Sequence, residues 1–105
     1  MANYLLAYHG GTMPETKEAQ AQVMAAWTKW MQALGPALID GGNPVGKAST
    51  IARNGTVTGA GGANPVSGYS LIKAESLDAA VKLAQACPVL EGGATIEVCE
   101  TFDAM

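Results

Sequence analysis

Apolar and polar positions change their period several times along this chain. From Asn3 to His9 side chains alternate, with Tyr4, Leu6 and Tyr8 on one side and Leu5, Ala7 and His9 on the other. The stretch Tyr4–His9 is apolar on both faces, which predicts a central strand ended by Gly10-Gly11. From about Glu15 to Leu34 the period lengthens to that of a helix. Ala19, Val23, Ala26, Trp27, Trp30, Met31 and Leu34 form one stripe, while Lys17, Gln20, Gln22, Lys29 and Gln32 mostly face away from it. Thr16 is the expected N-cap, Glu18 suits the positive end of the helix dipole, and Gly35-Pro36 stops the helix.

Ala37–Asp40 begins a second strand, which Gly41-Gly42-Asn43-Pro44 then bends. A short hairpin is predicted from Ala48–Arg53 and Thr56–Thr58, joined by Asn54-Gly55 as a two-residue type I′ turn. Gly59–Ser67 is poor in packing side chains and reads as a mobile loop. Gly68–Ala74 is the third main strand, apolar on both faces over Tyr69–Lys73. Ser76 caps a second helix whose stripe is Leu77, Ala80, Val81 and Ala84, and Pro88 ends it. Ala94–Phe102 alternates, with Ile96 and Val98 opposite Thr95, Glu97, Cys99 and Thr101, as an edge strand does.

The order strand, helix, strand, strand, helix, strand predicts an α+β fold. It is a ferredoxin-like βαββαβ sheet with an extra short hairpin, its third main strand lying between the first two. Two helices cover one face of such a sheet. The two central strands are apolar on both faces, so a second copy of the chain is expected on the other, giving a homodimer built as an α+β barrel.

Composition narrows the picture further. The 105 residues suit a single domain spanning positions 1–105. A net charge of −3 with six scattered Lys and Arg residues argues against a nucleic-acid partner. There is no apolar run of spanning length and no charged segment ahead of Tyr4–His9, so neither a membrane partner nor a leader is expected, and the cytoplasm is the expected location. Cys87 and Cys99 lack metal or redox spacing and read as small buried apolar residues.

Five segments taken together resemble the YCII-related family. They are Tyr4–Gly11, Leu38–Pro44, Gly68–Ala74, Ser76–Ala80 and Cys87–Val98, and the resemblance covers nearly the whole chain. It implies a dimeric α+β barrel. It also implies a role either as an enzyme of aromatic-compound breakdown or beside an extracytoplasmic-function sigma factor. The chain departs from two branches of that family. The first helix has no histidine where one branch carries it, around Met24. Thr58-Gly59-Ala60-Gly61 stands where another branch has Asp-Gly-Pro-Phe. Neither branch's functional residues transfer.

The inventory of chemistry is small. His9, the only histidine, sits at a strand end and is either an acid/base group or a histidine bonded to backbone. Asp40 either orients His9 or closes an Asx turn over Gly41-Gly42. Tyr8, Tyr69, Gly41 and Gly42 are expected to border a ligand pocket between the sheet and its mate, with Glu97 near it and paired to Arg53 or Lys73. No metal set is expected from one His and two distant Cys, and Gly59–Gly62 is not a phosphate loop, so no cofactor is expected. Three functions fit. One is a small-molecule-binding protein. The second is a cofactor-free enzyme using His9 and Asp40 for elimination, isomerisation or oxygenation of an aromatic substrate. The third is an accessory partner of a transcriptional regulator.

Overall fold

The computed structural model describes residues 1–59 and 62–104. Ala60 and Gly61, and with them part of the predicted mobile loop, lie outside the described residues. The chain runs β1 (Ala2–His9), α1 (Lys17–Leu34), β2 (Leu38–Asp40), β3 (Ser49–Ile51), β4 (Val57–Gly59), β5 (Val66–Ala74), α2 (Leu77–Ala84) and β6 (Thr95–Glu100). Four strands form an antiparallel sheet in the order β2-β5-β1-β6, and β3-β4 pair separately. The third main strand, β5, therefore separates β2 from β1, and the fold is α+β.

Local chemistry sets the helix ends. Thr16 Oγ1 accepts the Ala19 N–H at 3.1 Å, and Ser76 Oγ accepts the Ala79 N–H at 3.1 Å. Gly35 ends α1 at φ 53°, a backbone shape that glycine enters without Cβ strain. Pro88 opens a 3₁₀ turn, Pro88–Gly92, after α2.

The alternation in β1 divides the sheet as its pattern predicts. Tyr4, Leu6 and Tyr8 are buried under the helices together with Ser70, Ile72 and Ala74 of β5. Trp30 and Leu34 of α1 and Ala80 and Ala84 of α2 close that core. Leu77 is a departure: it lies at the first turn of α2, 48% exposed, while Leu83 packs on the core instead. The α1 stripe is also uneven. Trp30 and Leu34 are buried, but Ala19, Val23, Ala26 and Trp27 remain half-buried. Trp27 stacks edge-on between Tyr8 and Trp30, with ring centres 5.6 Å from each.

The hairpin exists with a different turn. Ala52 O accepts the Gly55 N–H at 2.8 Å, and Ala52 N–H reaches Thr56 O at 2.7 Å. The loop is thus three residues, Arg53-Asn54-Gly55, with Gly55 at φ 89° as the bulge residue, rather than a two-residue type I′ turn over Asn54-Gly55. The pairing Ile51↔Val57 requires it, because an odd number of residues lies between the strands.

Among the described residues, no layer lies on the other face of the sheet. Leu5, Ala7, Leu71 and Cys99 belong to it and are half-exposed. The molecule measures 43 × 42 × 18 Å, and the short axis holds one sheet and one layer of helices, each about 10 Å across. The radius of gyration is 15.1 Å, against about 13 Å for an ordinary domain of this length. Likewise the chain exposes 7412 Å², where a 10.7 kDa monomer of usual shape exposes about 5,500 Å².

Candidate functional site

Two places gather the side chains singled out above, and they lie on opposite faces of the sheet.

The larger is a groove of about 820 Å³ beneath the first half of α1. Its origin is a shortage of side-chain volume. Above are Ala19, Val23 and Ala26, the small members of the α1 stripe; below are Gly10, Gly11, Gly41, Gly42 and Gly68, which have no side chains. Where the stripe turns to Trp30 and Leu34, helix and sheet meet. Met13, Met24, Met31, Trp27, Pro14 and Pro88 complete apolar walls, and Glu91 is the one charged residue among the described lining. Met13 and Met24 are exposed, at 61% and 60%.

The floor of the groove is held by a chain of hydrogen bonds. The Cys87 thiol donates to Tyr8 Oη at 3.8 Å, Tyr8 Oη donates to Ser70 Oγ at 2.7 Å, and Ser70 Oγ donates to Gly41 O at 2.8 Å. Burial raises the Tyr8 phenol far above its ordinary value, and burial likewise raises the Cys87 thiol. Both groups are therefore neutral at physiological pH, and the chain is a structural tie. It anchors the kink at Gly41-Gly42, where the β2 side of the sheet bulges before rejoining β5 at Pro44↔Gly68. Asp40 Oδ1 accepts the Gly42 N–H at 2.8 Å and closes that kink as an Asx turn. A Cβ on Gly42, at φ 73°, would overlap the Tyr69 carbonyl oxygen, so only glycine lets the two backbones approach this closely.

The second place is at the end of β1, on the uncovered face. His9 Nδ1 lies 3.0 Å from Asn64 O, and His9 Nε2 lies 3.5 Å from Glu97 Oε1. The Nε2 atom is buried and forms no hydrogen bond of good geometry, and both ring nitrogens face acceptors. The Asn64 carbonyl fixes the ring, and the Glu97 carboxylate lies opposite its far side.

The predicted residues therefore divide. Tyr8, Gly41, Gly42 and Tyr69 border the groove. His9, Glu97 and Asp40 do not. The His9–Asp40 pair is not formed within the chain. His9 is level with Val66 on β5 and Asp40 with Leu71, five residues or about 16 Å along the strand, with β5 between them. Glu97, not Asp40, is the carboxylate beside His9, because β6 is the neighbour of β1 and places Glu97 two residues from the level of His9. Neither Arg53 nor Lys73 pairs with Glu97 within the described residues. The groove itself lies on the helix side of the sheet. The signal for it was present in the sequence: alanines in the first half of the α1 stripe, and glycine pairs at the strand ends.

No protein-family model matches the chain, and no curated protein matches it.

Proposed function

We propose that this protein is a homodimeric small-molecule-binding protein whose ligand is uncharged and largely apolar, of the size of one or two aromatic rings. The observation that carries this reading is the groove under α1. It has the volume of an ordinary ligand site, its walls are apolar, and its polar floor is already satisfied by its own bonds. An anion would meet no cation there and would face Glu91. The groove contains neither His9 nor Asp40, so proton-transfer catalysis by that pair has no support from its geometry.

The dimer is supported by the uncovered apolar face and by the surplus of surface. That surplus is about 1,900 Å² for one chain, the amount a protomer buries in a large obligate interface. The strand order β2-β5-β1-β6 with both helices on one face supports the ferredoxin-like reading, and with it a dimeric α+β barrel of the YCII-related kind. Among the described residues, no helix is long and apolar enough to cross a membrane. A cytoplasmic location belongs to the same reading, and the two free thiols of Cys87 and Cys99 suit a reducing compartment.

The test is binding of N-phenyl-1-naphthylamine, a neutral aromatic probe, followed by its own fluorescence and by quenching of the tryptophans. Wild type binds it saturably. Ala26→Leu, which places methyl groups in the groove, lowers probe affinity about tenfold while leaving Tm unchanged or raised, since the added volume enters empty space. Unchanged affinity, or a fall in Tm from overpacking, refutes the groove as the site.

A further inference from the structure

Among the described residues, the β3-β4 hairpin contributes no side chain to the core of its own chain. Every residue from Asn43 to Gly59 is exposed. Its two large apolar side chains, Ile51 and Val57, stand directly opposite each other at 71% and 61% exposure. A lone two-stranded ribbon is marginal in water at best, and an apolar cross-strand pair on its surface gains nothing there. The ribbon is also basic. Between Asp40 and Glu75 the chain carries Lys47, Arg53 and Lys73 and no acidic residue. The last stretch is its complement: from Leu83 onward there are Glu91, Glu97, Glu100 and Asp103, and no Lys or Arg. Glu97 stands on the uncovered face of edge strand β6, 68% exposed.

We propose that this hairpin is an arm that clasps a second copy of the chain. Its Ile51/Val57 pair rests on the uncovered apolar sheet of that copy, and Arg53, with Lys47, faces the acidic last strand at Glu97. The proposal rests on the homodimer reading and adds to it the element that makes the contact and the charges that orient it. A basic arm and an acidic strand on the same chain are satisfied twice by a twofold axis, once in each direction. The surplus surface of each chain, about 1,900 Å², falls within what one protomer buries in a large interface. The clasp also brings a cation to Glu97, the carboxylate beside His9, so the His9 cluster is completed by the partner copy.

Sedimentation velocity over a dilution series tests this with Arg53→Glu, Glu97→Arg and the double variant Ile51→Ser/Val57→Ser, each checked for fold by circular dichroism. Wild type is a dimer. Each variant weakens it, the charge reversals by about tenfold or more, and added salt weakens wild type further. An equal mixture of the Arg53→Glu and Glu97→Arg chains recovers wild-type affinity, because in the mixed dimer every arm meets an opposite charge. Weakening without rescue in the mixture places the charges' partners within each chain and overturns the clasp. A wild-type dimer whose affinity no arm variant changes overturns the clasp and leaves the homodimer standing. A wild-type monomer overturns both.

Discussion

Tyr8 shows how much one residue can carry. Its ring is buried against Trp27, and its hydroxyl links a buried thiol to the backbone kink that borders the groove. Burial raises the pKa of the phenol from its ordinary 10.0, and that of the Cys87 thiol from 9.0. The folded chain then keeps protons that the unfolded chain releases. Its stability from these two groups is whole below those ordinary values and is lost as pH rises beyond them. Thermal melts should therefore show Tm falling above about pH 9 to 10. Tyr8→Phe should lower stability by about 1 kcal/mol at pH 7, through the lost hydrogen bond, and flatten the alkaline fall. An equally steep fall in Tyr8→Phe would count against this account. Alternation in β1 places Tyr8 with Tyr4 and Leu6, but nothing in the letters links it to Ser70, Cys87 or Gly41. Those partners are 62, 79 and 33 positions away in sequence, and only the folded sheet brings them together.

Among the elements, the kink between β2 and β5 is set by glycine, and its two kinds of glycine requirement are separable. Gly42 and Gly55 both have positive φ, but a Cβ on Gly42 overlaps the Tyr69 backbone while one on Gly55 meets nothing. Gly55→Ala should cost about 1 kcal/mol, the left-handed penalty alone. Gly42→Ala should cost about 2–3 kcal/mol and lower Tm on the order of 10 °C or more, since backbone must move. Equal losses in the two variants would show that steric approach at Gly42 is not what demands glycine. Both caps, both helices and every main strand are legible from period and punctuation, because these are local preferences repeated over many residues. The three-residue hairpin loop is not, since Asn-Gly serves either turn and strand pairing chooses between them. Leu77 misleads for a similar reason: it has helical spacing, but the first turn of α2 extends past the edge of the core.

For the whole molecule, the decisive property is flatness. A plate 18 Å thick, with one layer of helices on one face of a sheet that is apolar on both, leaves the other apolar face open, and the proposed dimer would cover it. If the proposed dimer forms through this face, placing a charge in its middle should separate the two copies without unfolding them. Leu71→Lys should sediment as a folded monomer, and its Tm should no longer depend on protein concentration as that of a dimer does. A dimer that survives Leu71→Lys would put the interface elsewhere.

Taken alone, the chain's letters determine the order and kind of its elements, the two-sided apolar character of β1 and β5, and the caps. These arise from interactions within a few residues or from the average environment a side chain demands. What only the tertiary structure decided is which residues meet. It set Glu97 rather than Asp40 beside His9, put a groove under α1, and left the basic hairpin standing clear of its own core. Contacts of that kind depend on strand order, register and the volumes of facing side chains, and no local pattern encodes them.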